Sequence, residues 1–381
     1  METFTKKLAN LFRILAWYRD YVLFKSIKLF TGTKKLPKNI QNILVIELLY
    51  IGDVIAITPT IRALKQKFPD AKIDVMLRPS MADVLTRNPN INKIITYDKQ
   101  DFEQKFNAIV NEIKGKYDLA ILFHPGVDIG NYKVSKLLKN AQIPFRIGCT
   151  KVGFLEGKGF FMHRKTKPTF RIKHKVEDNL DVIRTIGVNI TDKHLELYIT
   201  KQAEKYITNL LKKEKINKKD FLIAIHAAPQ HKTHEWIPER FANVADELIK
   251  KYKAKIIFTG SQRDVEYNQG IISLMKGKAV DLAGKTDLKQ FFASIKIANL
   301  VINVDTSAMH IAAAFNKPII ALFGAGNPRI WRPYCKKSIV IFKEKESCTS
   351  CMKHKCKKNY KCMKSITEKD VLNAVEKLNL S

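Results

Sequence analysis

The chain has 381 residues, of which 45% are apolar, and a formal charge of +32 at pH 7; it is long enough for two ordinary domains with sizeable cores. So large a basic excess speaks to partners (nucleic acid, an anionic membrane or a phosphorylated substrate) and not to fold. Nucleic acid is set aside because zinc-finger, RNP and KH signatures are missing, a spanning helix because no run approaches ~18 apolar residues, and a disulfide-built secreted scaffold because six cysteines in this length are too few.

Residues 1–38 form a separate block. Phe4, Leu8, Leu11, Phe12, Leu15, Tyr18 and Val22 recur at helical spacing, with Lys6, Lys7, Arg13, Arg19, Lys25 and Lys28 around them and Trp17, Tyr21 and Phe24 adding aromatics. A basic amphipathic helix of this kind fits an anionic membrane surface; the alternative is a helix packed on the protein body with its lysines in solvent. There is no clean apolar core before a small-residue cleavage site, so the expected compartment is the cytoplasm.

From Asn42 onwards strands alternate with helices. Ile43–Glu47 reads as a strand buried on both faces, as in a parallel sheet. A loop leads into a helix over Asp53–Phe68, then strands at Lys72–Leu77 and Lys93–Tyr97, a helix over Asp101–Lys116, and a strand at Leu119–Phe123. Residues 150–172 are Lys/Gly/Phe-rich and irregular, and read as a functional loop. A helix over His174–Gly187 follows, and Leu195–Ile199 closes the first half. Asp53 stands in Ile51-Gly52-Asp53-Val54, just past the first strand. A carboxylate there can take a proton from an attacking hydroxyl, or simply cap its helix.

The second half repeats the design, with strands at Phe221–His226, Lys255–Thr259, Leu300–Val304 and Pro318–Phe323, the apolar run Ile297–Ile302 reading as part of the third. Helices are expected over Glu239–Tyr252, Arg263–Met275, Leu288–Ala298 and Thr367–Leu378. Asp305-Thr306-Ser307 opens a small-residue helix at a strand end. Hydroxyls and free N–H groups at such a helix mouth can hold an anion, most often phosphate, or serve as an ordinary N-cap. Near the end of the chain Cys348-x2-Cys351-x4-Cys356-x5-Cys362 offers four thiolates able to bind a structural Zn2+ tetrahedrally. No Asp-x-Asp pair occurs to hold a divalent ion on a nucleotide diphosphate.

Three stretches carry a family resemblance. Ile46 to Pro59, with Gly52-Asp53; His226 to Phe241, with Trp236 and Phe241; and Asn303 to Ala314, with Asp305-Thr306-Ser307 and His310, resemble in order the motifs of glycosyltransferase family 9, the ADP-heptose–lipopolysaccharide heptosyltransferases. The resemblance runs over residues about 42 to 378. Ser307 stands where the family usually has Gly, and His234 where it has the lysine that contacts donor phosphate, with Lys232 two residues earlier; of the two, Lys232 is always charged near neutrality and is the favoured contact.

The resemblance implies a GT-B fold: two Rossmann-like doubly wound α/β domains facing a central cleft, with acceptor domain 39–200 and donor domain 201–381. It implies an inverting, metal-independent glycosyltransferase without a catalytic cofactor. The donor would be ADP-heptose and the acceptor a lipid A-core of lipopolysaccharide, met at the inner face of the inner membrane. Asp53 would be the catalytic base, and Lys232, His234, Thr306 and Ser307 would meet donor phosphate. Asp264, Asp305, Met309 and His310 would meet the donor sugar or nucleotide. The cysteine cluster resembles a C-terminal pattern of some members and would be structural. A different nucleotide sugar or acceptor, or an inactive basic binding protein on the same frame, stays open as an alternative.

Overall fold

Runs such as Asn42-Ile-Leu-Val-Ile-Glu47, apolar at every interior position, cannot expose either face and so pair inside a sheet covered by helices on both sides. In the computed structural model the described residues are 34–124, 129, 131–149 (131 and 132 by backbone alone), 161–167, 169, 171–348 and 356–380, together with helical positions 11, 12, 15, 16, 18, 19, 21–23, 25 and 26. The chain divides into two units, Met1–Lys193 and His194–Ser381.

The first unit is built on a parallel sheet of β1 (Asn42–Glu47), β2 (Lys72–Leu77), β3 (Lys93–Thr96), β4 (Leu119–His124), β5 (Phe145–Gly148) and β6 (Arg164–Lys165), in the order β3-β2-β1-β4-β5-β6. The second has β7 (Leu222–His226), β8 (Lys255–Phe258), β9 (Ala279–Asp281), β10 (Leu300–Val304), β11 (Ile319–Phe323) and β12 (Ser338–Phe342), in the order β12-β11-β10-β7-β8-β9. Read from the other edge, the second order is the first repeated: each sheet starts in the middle, runs to one edge, then crosses back. Each therefore has a switch point, between β1 and β4 and between β7 and β10, where neighbouring crossovers leave in opposite directions and open a crevice at the carboxyl ends of the strands.

The first unit's core on one face joins Leu44, Ile46, Met76, Leu122 and Phe102 to Leu137 and Leu138 of the helix Asn131–Asn140. The second unit's core joins Ile223, Ile225, Ile302 and Ile320 to Phe241, Ala245 and Leu248 of the helix Pro238–Tyr252 and to Val371, Ala374 and Val375 of the final helix Glu368–Lys377. The last of these helices opens with a capping box, Thr367 accepting from Asp370 N–H and Asp370 from Thr367 N–H.

Several boundaries differ from the sequence expectation. The helix expected over Asp53–Phe68 is two helices, Ile51–Ala56 and Thr58–Lys67, because Pro59 in the first turn of the second starts a new helix at Thr58. The run Ile297–Ile302 is not one strand: Ile297 closes the helix Leu288–Ile297, Ala298 is extended, and β10 starts at Leu300. Leu195–Ile199 falls in the second unit and has no regular structure. In the loop expected over 150–172, residues 150–160 lie outside the described residues, and Arg164–Lys165 form β6 on the sheet edge. The helix Lys175–Arg184 stops before Gly187, whose φ of +79° is open to glycine without strain and returns the chain for Val188 N–H to reach Ile183 O at 3.2 Å.

Candidate active site

In the first unit the chemistry gathers at the switch point. β1 ends at Glu47, and Leu48 N–H crosses to the carbonyl of His124 at the end of β4, 2.9 Å away. The guanidinium of Arg78 donates from Nε to Leu48 O at 2.6 Å and fixes the loop after β1. Asp53 then lies in the first turn of the helix Ile51–Ala56, whose cap position is Tyr50, so Asp53 is not the helix cap. Its side chain is only 8% exposed, and Oδ1 has no hydrogen-bond partner among the described residues. Lys175 begins the helix Lys175–Arg184 and brings Nζ to 3.7 Å from Asp53 Oδ1. That helix is held by His174, which accepts from Val176 N–H at 3.2 Å, and by Asn179, which donates to Ala56 O at 3.3 Å.

Burial pushes the Asp53 carboxyl above its ordinary value, and Lys175 pulls it back. Burial likewise raises Glu47, to about 8, against the same lysine. A desolvated carboxylate with an open lone pair, kept ionised by a neighbouring cation, is suited to receive a hydroxyl proton.

The second switch point has a different character. β10 runs out at Val304, and Asp305 and Thr306 lead into the helix Ser307–Ala314. Thr306 occupies the cap position but makes no side-chain cap bond, and its buried Oγ1 has no partner among the described residues. A hydroxyl left unused at a helix mouth, beside orphan N–H groups, is available to an anion. Asp305 is pushed up by burial to about 7. Its carboxylate lies against Gly326, where any side chain would overlap it. His234 Nδ1 lies 3.4 Å from the Asp305 carbonyl and 3.6 Å from its Oδ2. Burial lowers the His234 imidazole, with the Asp305 carbonyl opposing.

Lys232, the contact favoured by the sequence, lies on the same turn as His234. The turn Lys232–His234 directs it outward, 64% exposed, to an ion pair with Glu235 at 2.6 Å. The same turn folds His234 in beside Asp305. Ser307 is the first residue of its helix and half-buried. His310 sits one turn on, buried and edge-on to Trp331, with ring centroids 6.1 Å apart. Met309 is buried within its helix. Asp264 accepts from both N–H and Oγ of Ser261 at 2.7 Å, so it closes its own turn. At the end of β7, His226 is lowered by burial to about 4 and meets Thr259 Oγ1 at 3.0 Å.

Sequence reasoning passed over Glu47 and Lys175. The signals were present: a glutamate closing a wholly apolar strand, and a lysine on the apolar side of its helix. Of the cysteines, Cys351 lies outside the described residues. Among the described residues Cys348, Cys356 and Cys362 form no disulfide. Among the described residues no three His, Cys, Asp or Glu side chains are grouped to hold a metal ion.

Two Rossmann-like units, one with a buried carboxylate at its switch point and the other with an anion-ready helix mouth, define a GT-B glycosyltransferase. The family model of glycosyltransferase family 9 (heptosyltransferase) matches residues 107–361, and the chain belongs to that family. It is 29% identical over 350 residues to lipopolysaccharide heptosyltransferase 3 of Escherichia coli (strain K12), covering 86% of this chain and 95% of that one. Among solved structures it is similar to the glycosyl transferase family 9 protein of Veillonella parvula DSM 2008, with a TM-score of 0.78 and 26% identity over 91% of this chain and 99% of that one. It also shares its fold with E. coli ADP-heptose lps heptosyltransferase II, with a TM-score of 0.72 and 22% identity over 89% and 99% of the two chains.

Proposed function

We propose that this glycosyltransferase moves heptose from ADP-heptose to the inner core of lipopolysaccharide or lipooligosaccharide, with inversion at the anomeric carbon. The observation that carries the reading is the buried Asp53 carboxylate, with one oxygen unpartnered and Lys175 beside it. Asp53 takes the proton of the acceptor hydroxyl as that oxygen attacks the anomeric carbon. The bond from that carbon to the diphosphate breaks, and ADP departs. The helix mouth at Thr306 and Ser307, with His234, meets the charge that develops on the leaving phosphate. The first unit thus serves the acceptor and the second the donor. ADP should appear when ADP-heptose and a deep-rough core acceptor are mixed with the protein, and not when either is left out; release of the nucleoside diphosphate from a different nucleotide sugar, with none from ADP-heptose, would reassign the donor.

Leaving-group stabilisation by a helix mouth and side chains needs no divalent ion. Transfer should therefore survive EDTA, read at early times alongside circular dichroism. Immediate loss of activity that Mg2+ or Mn2+ restores would overturn this. The circular dichroism is needed because the donor set Cys348, Cys351, Cys356 and Cys362 fits a structural Zn2+, and its removal would loosen the tail. In support of that fit, Cys356 Sγ accepts from the N–H groups of Lys358 and Tyr360 at 3.4 and 3.2 Å, contacts that stabilise a thiolate.

The N-terminal block places the enzyme on the inner face of the inner membrane, next to a lipid-linked acceptor. In support, Leu11, Phe12, Leu15 and Val22 are exposed, and no described helix is long and apolar enough to cross a membrane. Each well-placed lysine or arginine adds about 1 kcal/mol of attraction to anionic lipid, screened by salt. Deleting residues 1–38 should reduce co-sedimentation with anionic vesicles at low salt while sparing transfer to a delipidated acceptor. Equal sedimentation of both forms would put the helix against the protein body.

A further inference from the structure

Asp53 shares its crevice with a second carboxyl group. Glu47, the last residue of β1, has no exposed surface, and neither carboxylate oxygen has a hydrogen-bond partner among the described residues. Ionised in that state, it would carry a buried charge with only the backbone at Leu49 to support it. Lys175, itself buried, is the cation that both carboxyls share. Its ammonium is close enough to pair with Asp53, at 3.7 Å. Two carboxylates facing one ammonium leave a surplus negative charge away from water, and one retained proton removes it.

We propose that Glu47 is a positioning residue for the base: as an uncharged acid it leaves Lys175 to Asp53, and on ionising it draws Lys175 to itself and takes the base out of service. The inference rests on Asp53 being the base.

Among the described residues the other ionisable groups around the pair are few. His124 stands opposite Glu47 on β4, and Cys149 follows β5. Asp178 and His174 belong to the helix of Lys175 and its cap, and Arg78 is bonded to the loop after β1. Burial is the largest influence on Glu47 and pushes it up to about 8; Lys175 offsets this in part, and the Asp53 charge adds to it. Its proton therefore leaves inside the range where an enzyme is readily assayed.

The experiment is the pH dependence of turnover and of thermal melting for the wild type, E47Q, K175M and D53N, from about pH 6 to about pH 9. Wild-type turnover should fall with a midpoint near pH 8. E47Q, uncharged throughout, should lack that alkaline fall. K175M should lose about tenfold or more in turnover and show its acid limb at higher pH, because Asp53 then ionises without its cation.

Melting supplies a readout that needs no activity. Folded Glu47 keeps its proton to about pH 8, whereas the unfolded chain releases it near 4.5. Between those values the folded state binds more protons, so wild-type stability falls as pH rises and levels off above the upper one. That slope should be smaller in E47Q.

An alkaline fall in E47Q identical to that of the wild type, or an unchanged melting slope, would overturn the role of Glu47. If E47Q does not fold, E47M, also uncharged, carries the same comparison. Activity retained in D53N would instead sink the base reading. An inactive D53N with an unchanged E47Q profile would sink only the present inference.

Discussion

Asp53→Asn should lower turnover by at least about 100-fold, the range lost with a general base, while the protein stays folded. Asparagine has nearly the shape of aspartate, and the helix Ile51–Ala56 does not use Asp53 as its cap. The amide cannot accept the acceptor's proton, and Lys175 is left facing a neutral group at 3.7 Å. Steady-state ADP release at saturating donor and acceptor is the measurement. Binding of the donor alone, followed by calorimetry, should change little, because the groups assigned to phosphate belong to the second unit. Turnover close to that of the wild type would remove Asp53 from the mechanism. Loss of donor binding of the same size would recast it as a structural residue.

Trp236→Ala should cost the second unit about 3–5 kcal/mol of stability, the usual range for deleting a large buried aromatic. The indole has no exposed surface and meets Phe241 edge-on, with centroids 4.7 Å apart at 88°. Its Nε1 donates to the carbonyl of Ile366 at 2.9 Å, joining the loop after β7 to the segment that enters the final helix. Arg240 donates to the same carbonyl and to Lys364 O. The substitution therefore empties a large volume and leaves a buried carbonyl with one donor fewer. Urea unfolding followed by a probe in the second unit should show the shift, with Trp236→Phe falling between the two. An unfolding midpoint within error of the wild type would mean that the loop is not held by this contact.

The reasons some features were legible in the sequence, and others not, are physical. β1, β4, β7, β10 and β11 lie inside their sheets and must be apolar on both faces, so each stands out as an unbroken run. β6, β9 and β12 are edge or near-edge strands; Ala279-Val-Asp281 and Arg164-Lys165 are short, half-solvated and without such a run. β5, Phe145-Arg-Ile-Gly148, is interrupted by an arginine whose side chain leaves the core to donate to Ile143 O. Asp53 and Thr306 stand out as candidates because each lies shortly past the carboxyl end of an apolar strand, where the crevice of a doubly wound sheet is expected. The choice between Lys232 and His234 could not be made from charge. The tight turn at Lys232–His234, which sets the lysine beside Glu235 and the histidine beside Asp305, is not visible in the residue types. Glu47 and Lys175 are far apart in the sequence of the first unit, and the packing of the helix Lys175–Arg184 onto the sheet and beside Ala56 joins them.

The repeated strand order bears on how the protein is made. Most neighbouring strands are joined by one crossover and pair soon after both have left the ribosome. The central pairs are different: Ile43 must wait for Leu119, and Ile223 for Leu300, with two other strands and their crossovers in between. Loop-closure entropy makes such distant pairings late and slow steps. Each crevice is thus closed by the step with the longest delay. During synthesis β1 and β7 will stand with one edge unsatisfied, the condition in which apolar parallel strands are most prone to associate wrongly. Slow refolding phases should accordingly respond to substitutions in β4 and β10 more than to equal ones in β3 and β12.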